Sequence, residues 1–92
     1  MRMEIRSDAS SFRKQWNKAD VKIQRAFGKR IKLFKVDRQH PFLRNHALQG
    51  NWQGFRSINI TGDWRAVFFE KKIRGNLVVT FVALGTHSQL YK

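Results

Sequence analysis

Apolar residues recur at every third or fourth position through the first part of this chain, and this repeat constrains the fold more than any other feature. The spacings are 4, 3, 4, 4, 4 and 3, and the members are Phe12, Trp16, Ala19, Ile23, Phe27, Ile31 and Phe34. Such spacing keeps all of them on one face of α-helix. Because Asn17 or Asp20 in "NKAD" can cap a second helix, the repeat predicts a hairpin of two helices, over roughly 9–18 and 20–36.

The segment before this hairpin reads as a short strand followed by a helix start. "MEIRS" alternates polar and apolar residues, which favours a strand. Three residues of "SDASS" are candidates to cap the first helix, namely Asp8, Ser10 and Ser11.

From Phe55 onward the apolar pattern changes to a period of two or to continuous apolar runs. Three strands are predicted, "FRSINIT", "WRAVFFEKK" and "LVVTFVAL", with turns at Thr61–Asp63 and at "IRGN". The last strand is apolar on both faces, so we expect it to be central or covered twice. The order is β-αα-βββ. This predicts one α+β domain over residues 1–92, a small antiparallel-rich sheet with the helical hairpin packed on one face.

The second sheet face has no further helix to cover it. The connector "RQHPFLRNHALQGNWQG" has no clean period and is long for so small a domain, and long loops in compact domains are often functional. We therefore expect the connector, the polar strand positions and the C-terminal tail to share an open sheet face where a ligand can bind.

Charge indicates what that ligand is. Nineteen Lys and Arg against six Asp and Glu give a net charge of +13, and ten of those cations lie in residues 9–40. A polyanion is the expected partner, because release of phosphate counterions drives such binding. Nucleic acid is the first candidate, an acidic protein is compatible with it, and a membrane surface is disfavoured because the cations are not confined to one helix.

Several function classes are disfavoured by what the sequence lacks. It has no Cys for disulfides or thiolate ligands, no apolar leader and no apolar run of about 20 residues, so we expect a cytoplasmic protein without a membrane span. The three His have no metal-ligand spacing, and no phosphate-binding glycine loop or nucleophile motif occurs. No metal and no cofactor are therefore expected.

The polar residues that remain suit proton transfer beside a phosphate. They are His46, Asp63, His87 and Tyr91, with Arg56 and Arg65 on strands and Trp52 in the connector. Cleavage of RNA at its own 2′-hydroxyl needs a base, an acid and cations that stabilise the phosphorane. His can serve either proton role near neutral pH, Arg binds phosphate oxygens, and Tyr91 or Trp52 can stack on an unpaired base.

Each of these residues also has a structural interpretation. Asp63 can simply form the turn before Trp64, and the two Arg can solvate a strand face. Tyr91 can pack as a C-terminal plug, and Trp52 can belong to the core or its rim.

The chain resembles the toxins of the RelE/ParE superfamily, and most closely the YafQ-like mRNA interferases. The matching residues span about half the chain in the expected order: "HALQG" from His46, Trp52, Gly54-Phe55-Arg56, Asp63-Trp64-Arg65, Gly85-Thr86-His87 and Leu90-Tyr91. The resemblance implies a RelE-like fold and a toxin that cleaves mRNA, usually in the ribosomal A site. It also implies an acidic antitoxin as partner. By the same resemblance His46, Asp63 and His87 are catalytic, His87 as the general acid, and Tyr91 supports substrate binding.

The sequence departs from that pattern at two positions. Asn59 stands where YafQ-like toxins tend to carry a His, and Ala47 replaces a Pro. Asn cannot transfer protons, so one proposed proton carrier is missing. Two alternatives therefore stay open: a relative that inhibits gyrase without nuclease activity, and an inactive RNA-binding relative. We expect a monomer when free and a larger complex with antitoxin.

Overall fold

The computed structural model describes residues 2–91. Within these residues the chain forms one five-stranded sheet and three α-helices. The strands are β1 (Met3–Arg6), β2 (His46–Ala47), β3 (Arg56–Asn59), β4 (Trp64–Ile73) and β5 (Asn76–Thr86). The helices are α1 (Ser10–Lys18), α2 (Val21–Val36) and α3 (His87–Leu90), and 3₁₀ turns occupy Pro41–Leu43 and Gly50–Trp52. The predicted α+β class is confirmed. The structure adds β2 and α3, which lie in the predicted connector and tail. No helix within residues 2–91 has the length and apolar character needed to cross a membrane.

The sheet has the strand order β1-β5-β4-β3-β2. β1 runs parallel to β5, and every other pair is antiparallel. β5 lies between β1 and β4 and is buried along most of its length, as its continuous apolar run predicted. One bulge interrupts the β4–β5 ladder, because Val67 pairs with Ala83 while Phe68 pairs with Phe81, which leaves Val82 as an extra residue in β5.

The core forms where the helical hairpin covers one sheet face. Phe81 is at its centre, with ring centroids 5.1 Å from Phe68, 5.3 Å from Phe27 and 6.2 Å from both Phe12 and Phe34. These five Phe side chains belong to one buried cluster that joins both helices to the sheet. The hydrophobic stripe predicted from the sequence is therefore the surface that the hairpin buries.

Helix α1 also protects an exposed edge of the sheet. β1 pairs with β5 only as far as Thr80, so the backbone of β5 beyond that point has no strand partner on this side. The Ser11 hydroxyl donates to the Val82 carbonyl at 2.6 Å, and the Gln15 side-chain oxygen accepts from the Leu84 amide at 2.8 Å. These bonds satisfy backbone groups that would otherwise leave an open strand edge.

The helix caps were predicted correctly for α2 and wrongly for α1. Helix α1 follows Ala9, and no side chain caps it. Ser11, one of the three predicted caps, bonds to β5 instead. Asp20 caps α2, because its carboxylate accepts from the Lys22 amide at 2.8 Å.

Removing this cap gives a test of the helix assignment. Asp20→Ala is expected to lower the free energy of unfolding by about 1 kcal/mol, because an amide at the start of α2 loses its acceptor. Asp8→Ala is the matched control, since it removes the same charge from a residue that caps nothing, and its effect should stay within about 0.5 kcal/mol. Urea denaturation followed by circular dichroism measures both. Equal effects of the two substitutions would contradict the assignment of Asp20 as the cap of α2.

Candidate functional site

Two predicted catalytic residues lie close together where the start of β4 pairs with the end of β5. Trp64 and Thr86 are paired residues of the ladder, so Asp63 just before β4 lies beside His87 just after β5. The His87 amide donates to the Asp63 carbonyl at 2.9 Å. Both residues are exposed. The backbone therefore fixes their neighbourhood while their side chains remain accessible to a substrate.

A capping box holds α3, the single helical turn that begins at His87. The Thr86 hydroxyl accepts from the Gln89 amide at 3.3 Å, and the Gln89 side-chain oxygen accepts from the Thr86 amide at 2.9 Å. Gly85 allows this turn to pack back on β5, since a Cβ there would lie 3.1 Å from the Gln89 side chain and 3.3 Å from that of Leu90. Gly85 is itself still within β5, which ends at Thr86.

Tyr91 connects α3 to the open sheet face. Its hydroxyl donates to the Ser57 hydroxyl at 2.7 Å, and its ring meets the His87 ring edge-on with centroids 4.8 Å apart. Ser57 is fully buried and is the direct partner of His46 across β2 and β3. Because facing residues of adjacent strands share one sheet face, His46 and Ser57 lie side by side. His87, Tyr91, Ser57 and His46 therefore follow one another across this face.

The ring of His46 is held in a defined tautomer. Its Nδ1 lies 2.7 Å from the Arg44 carbonyl. A carbonyl only accepts, so Nδ1 carries the proton, and in the neutral ring Nε2 is left as a proton acceptor. Arg44 has φ +48°, in the left-handed region, at the turn that leads into β2. This local geometry leaves His46 suited to act as a base through Nε2.

Arg65 stabilises the turn that carries Asp63. It pairs with Asn59 on the face opposite the core, and its Nη1 donates to the carbonyls of Thr61, Gly62 and Trp64 at 3.1–3.2 Å. Arg65 thereby places a cation at the end of the sheet where His87 lies. Asn59 lies on this same face beside Arg65.

Arg56 lies on the other sheet face. It pairs with Phe68, a core residue, and its Nε donates to the Asn45 side chain at 2.8 Å. Asn45 in turn donates to the Arg38 carbonyl at 3.1 Å. Arg56 thus contacts the connector just before His46, and the structure does not bring it together with His87 and Asp63.

Trp52 contacts the last helical turn. Its indole N–H donates to the Leu90 carbonyl at 2.8 Å, and its ring packs edge-on against Phe55 at 5.4 Å. Beside this contact, a groove of about 650 Å³ lies between the connector and α3. It is lined by Gln49, Gly50, Asn51, Trp52, Gln89, Leu90 and Tyr91. Polar amides and the Trp52 ring therefore line this groove together with Tyr91. Within residues 2–91, no three His, Asp or Glu side chains are grouped as metal ligands.

Comparison with models of known protein families assigns the chain to one family. A family model described as the bacterial toxin of a type II toxin-antitoxin system, YafQ, matches residues 4–92. The chain belongs to the YafQ toxin family. It is therefore a toxin of the type II toxin-antitoxin class. A search of curated protein sequences gives no significant match.

Solved structures share the same fold with this YafQ-family chain. A YoeB/ParE toxin from Agrobacterium tumefaciens is 16% identical with a TM-score of 0.65, covering 95% of this chain and 99% of its own. The DinJ-YafQ toxin-antitoxin complex of E. coli gives 21% identity and a TM-score of 0.61, covering 98% and 96%. A copper-bound mutant toxin from Helicobacter pylori gives 26% identity and a TM-score of 0.62, covering 99% of both chains. These likenesses confirm the RelE-like fold that the sequence motifs implied.

Two features of the site were missing from the sequence prediction. Ser57 was not in the candidate set, although its alternation with Ile58 in "RSINI" places it on the face opposite the core. The capping box was also missed, although Thr86 and Gln89 have the Thr-x-x-Gln spacing that marks a helix start. Ser57, Thr86 and Gln89 carry no charge, and each contacts the segment that holds His87 and Tyr91.

Proposed function

We propose that this YafQ-family toxin is an endoribonuclease that cleaves mRNA in the ribosomal A site, with no metal and with the RNA 2′-hydroxyl as nucleophile. The observation that carries the proposal is the cluster on the sheet face opposite the helical hairpin. There His87, at the end of β5, lies beside Asp63 and Tyr91, and His46 lies on the same face on β2, with β4 and β3 between the two strands. Family membership supports a toxin, and this cluster supplies the groups that ribonuclease chemistry needs.

The proposed reaction uses the two histidines in opposite roles. His46 Nε2 accepts the proton of the 2′-hydroxyl, and the 2′-oxygen forms a bond to phosphorus. The bond from phosphorus to the 5′-oxygen breaks, and His87 donates a proton to that oxygen. The products are a 2′,3′-cyclic phosphate and a 5′-hydroxyl. We assign Asp63 to orient the reacting groups through its carboxylate. Proton transfer by a positioned side chain such as His46 or His87 typically raises a rate by roughly 10²–10⁴-fold.

Substrate binding is assigned to the residues around this centre. The Arg65 guanidinium lies close enough to the turn of Asp63 to contribute positive charge to the phosphorane. Trp52 and Tyr91 border the groove beside α3 and offer rings on which unpaired bases can stack. Arg56 serves the substrate indirectly, since it bonds to the connector ahead of His46.

The charge of the chain supports the proposed partners. Only two salt bridges form within residues 2–91, Arg6–Glu4 and Arg38–Glu70, against a net charge of +13 for the whole chain. The remaining cations suit RNA phosphates on the ribosome. They equally suit an acidic antitoxin, which we expect to convert a free monomer into a larger complex. A cytoplasmic location follows from mRNA and ribosomes as targets.

The direct test compares two activities of the purified protein. In the first assay the protein is added to a translating extract with a reporter mRNA, and primer extension maps the 5′ ends of that mRNA. In the second assay the protein is added to a gyrase supercoiling reaction. New 5′ ends with normal supercoiling support the ribonuclease. Inhibited supercoiling with intact mRNA would replace the proposal with gyrase poisoning, and binding to ribosomes with neither effect would indicate an inactive RNA-binding relative.

The unusual Asn59 gives a prediction of gained activity. Asn59→His is expected to raise the cleavage rate about tenfold, because it adds a proton carrier to the same sheet face as Arg65. Asn59→Gln is the control, since it is larger than Asn but cannot transfer protons, and it should give no increase. Initial rates on the mapped mRNA site measure both. A rate for Asn59→His at or below that of the wild type would show that this position is not used for proton transfer here.

A further inference from the structure

We propose that the hydrogen bond between Tyr91 and Ser57 positions His87 for proton transfer. This inference rests on the proposed function, since it assigns a positioning pair to the same site. The proposal concerns the Tyr91 hydroxyl alone, whereas the Tyr91 ring keeps its place beside the substrate groove.

The first argument is that α3 is too short to be stable without tertiary contacts. It has only four residues, His87–Leu90, and an isolated helix of that length does not form in water. Its N-terminal end is fixed by the Thr86 and Gln89 capping box. At its C-terminal end the Tyr91 hydroxyl reaches the sheet at Ser57, 34 positions earlier in the chain. The orientation of the turn therefore depends on this distant contact.

The second argument is that Ser57 needs this bond. Ser57 has 0% exposure and is the one buried polar side chain found in residues 2–91. A buried hydroxyl without a partner costs free energy, so nearly all are hydrogen-bonded. Tyr91 supplies the partner at 2.7 Å, and no buried side-chain polar atom in the described part of the chain is left without one. Burial of Ser57 thus favours a single position of Tyr91.

The third argument links Tyr91 to the catalytic ring. The centroids of Tyr91 and His87 are 4.8 Å apart, with an interplanar angle of 76°. This edge-on contact is one of the favoured aromatic geometries. A fixed Tyr91 ring therefore restricts the His87 imidazole from one side, while the bond from the His87 amide to Asp63 fixes its backbone from the other.

The test removes the hydroxyls and keeps the rings. Tyr91→Phe, Ser57→Ala and the double variant are compared with wild type in kcat and KM on the mapped mRNA. We expect kcat to fall about tenfold in all three with KM nearly unchanged, a smaller loss than the roughly 100-fold that a 1 Å misplacement can cost. The double variant should be no slower than the single ones, because all three break the same bond.

The double variant also separates positioning from stability. Replacing both hydroxyls with apolar groups leaves no buried polar atom unpaired, so its thermal midpoint should lie close to wild type. A stable double variant with reduced kcat supports positioning. A stable double variant with wild-type kcat would overturn the proposal and leave only a structural role for the bond. Ser88→Ala is the matched control, since it removes an exposed Ser hydroxyl from the same helix and should keep wild-type kcat.

A spectroscopic readout tests the same idea without any cleavage assay. In wild type the His87 imidazole should give one sharp set of NMR signals, and both Tyr91→Phe and Ser57→Ala should shift or broaden it. Unchanged His87 signals in both variants would overturn the positioning role. If wild type cleaves no RNA but the two variants still shift or broaden the His87 signals, the proposed function is refuted while the positioning of His87 by this bond stands.

Discussion

Replacing His87 with Ala is expected to lower the rate of mRNA cleavage by roughly 10²–10⁴-fold and to abolish growth arrest. The substitution removes the proposed general acid. It should leave the fold intact, because the His87 side chain is exposed and its amide bond to Asp63 belongs to the backbone. His87→Gln should behave in the same way, since Gln retains polarity but transfers no proton. Inducible expression in a bacterial host, followed by growth curves and primer extension, measures both effects.

The chain offers a histidine control for this experiment. His40 lies in the connector, where its ring nitrogen accepts from the Phe42 amide at 3.1 Å, and we assign it no part in catalysis. His40→Ala should therefore still arrest growth and produce the same new 5′ ends. An undiminished His87→Ala toxin, folded and expressed at the wild-type level, would rule out the assigned role of His87.

Replacing Phe81 with Ala should have the largest effect on stability. Phe81 is fully buried and contacts four other Phe rings from both helices and from β4. Removing such a ring is expected to lower the free energy of unfolding by about 3–5 kcal/mol, from the lost burial and the cavity left behind. That is a large fraction of the roughly 5–15 kcal/mol typical of a small domain. Urea denaturation followed by circular dichroism measures the loss.

The control for Phe81 is an exposed residue of the same type. Phe42 is 65% exposed, and its ring contacts the edge of the His40 ring, at 4.8 Å between centroids, and the Arg30 guanidinium, at 5.8 Å. Phe42→Ala should therefore cost less than about 1 kcal/mol. Losses of equal size at the two positions would contradict the central place of Phe81 in the core.

The sequence predicted the large elements because their burial imposes a strong period. Seven apolar residues from Phe12 to Phe34 at helical spacing indicated the hairpin, and the continuous apolar run of β5 indicated its place inside the sheet. The same burial pattern would have placed Arg56 correctly. Arg56 alternates with Ile58, so the two share the core face, whereas Ser57 and Asn59 share the open one.

The remaining features depend on contacts too local or too distant for a periodic pattern. Strand β2 has two residues and α3 has four, so neither completes a recognisable repeat. The cap predicted for α1 failed because the helix follows Ala9, which places Ser10 and Ser11 inside it, and Ser11 bonds to β5, 71 positions later in the chain. The bond from Tyr91 to Ser57 likewise joins segments whose proximity follows only from the sheet order.

The central claim, that the RNA supplies its own nucleophile, can be tested by one change in the substrate. Once primer extension has located the cleaved bond, the mRNA is rebuilt with a single 2′-deoxynucleotide on the 5′ side of that bond. Wild-type protein should cleave the all-RNA substrate to a 2′,3′-cyclic phosphate and leave the substituted one intact. Equal cleavage of both substrates would contradict the account, because the attacking oxygen would then come from outside the RNA.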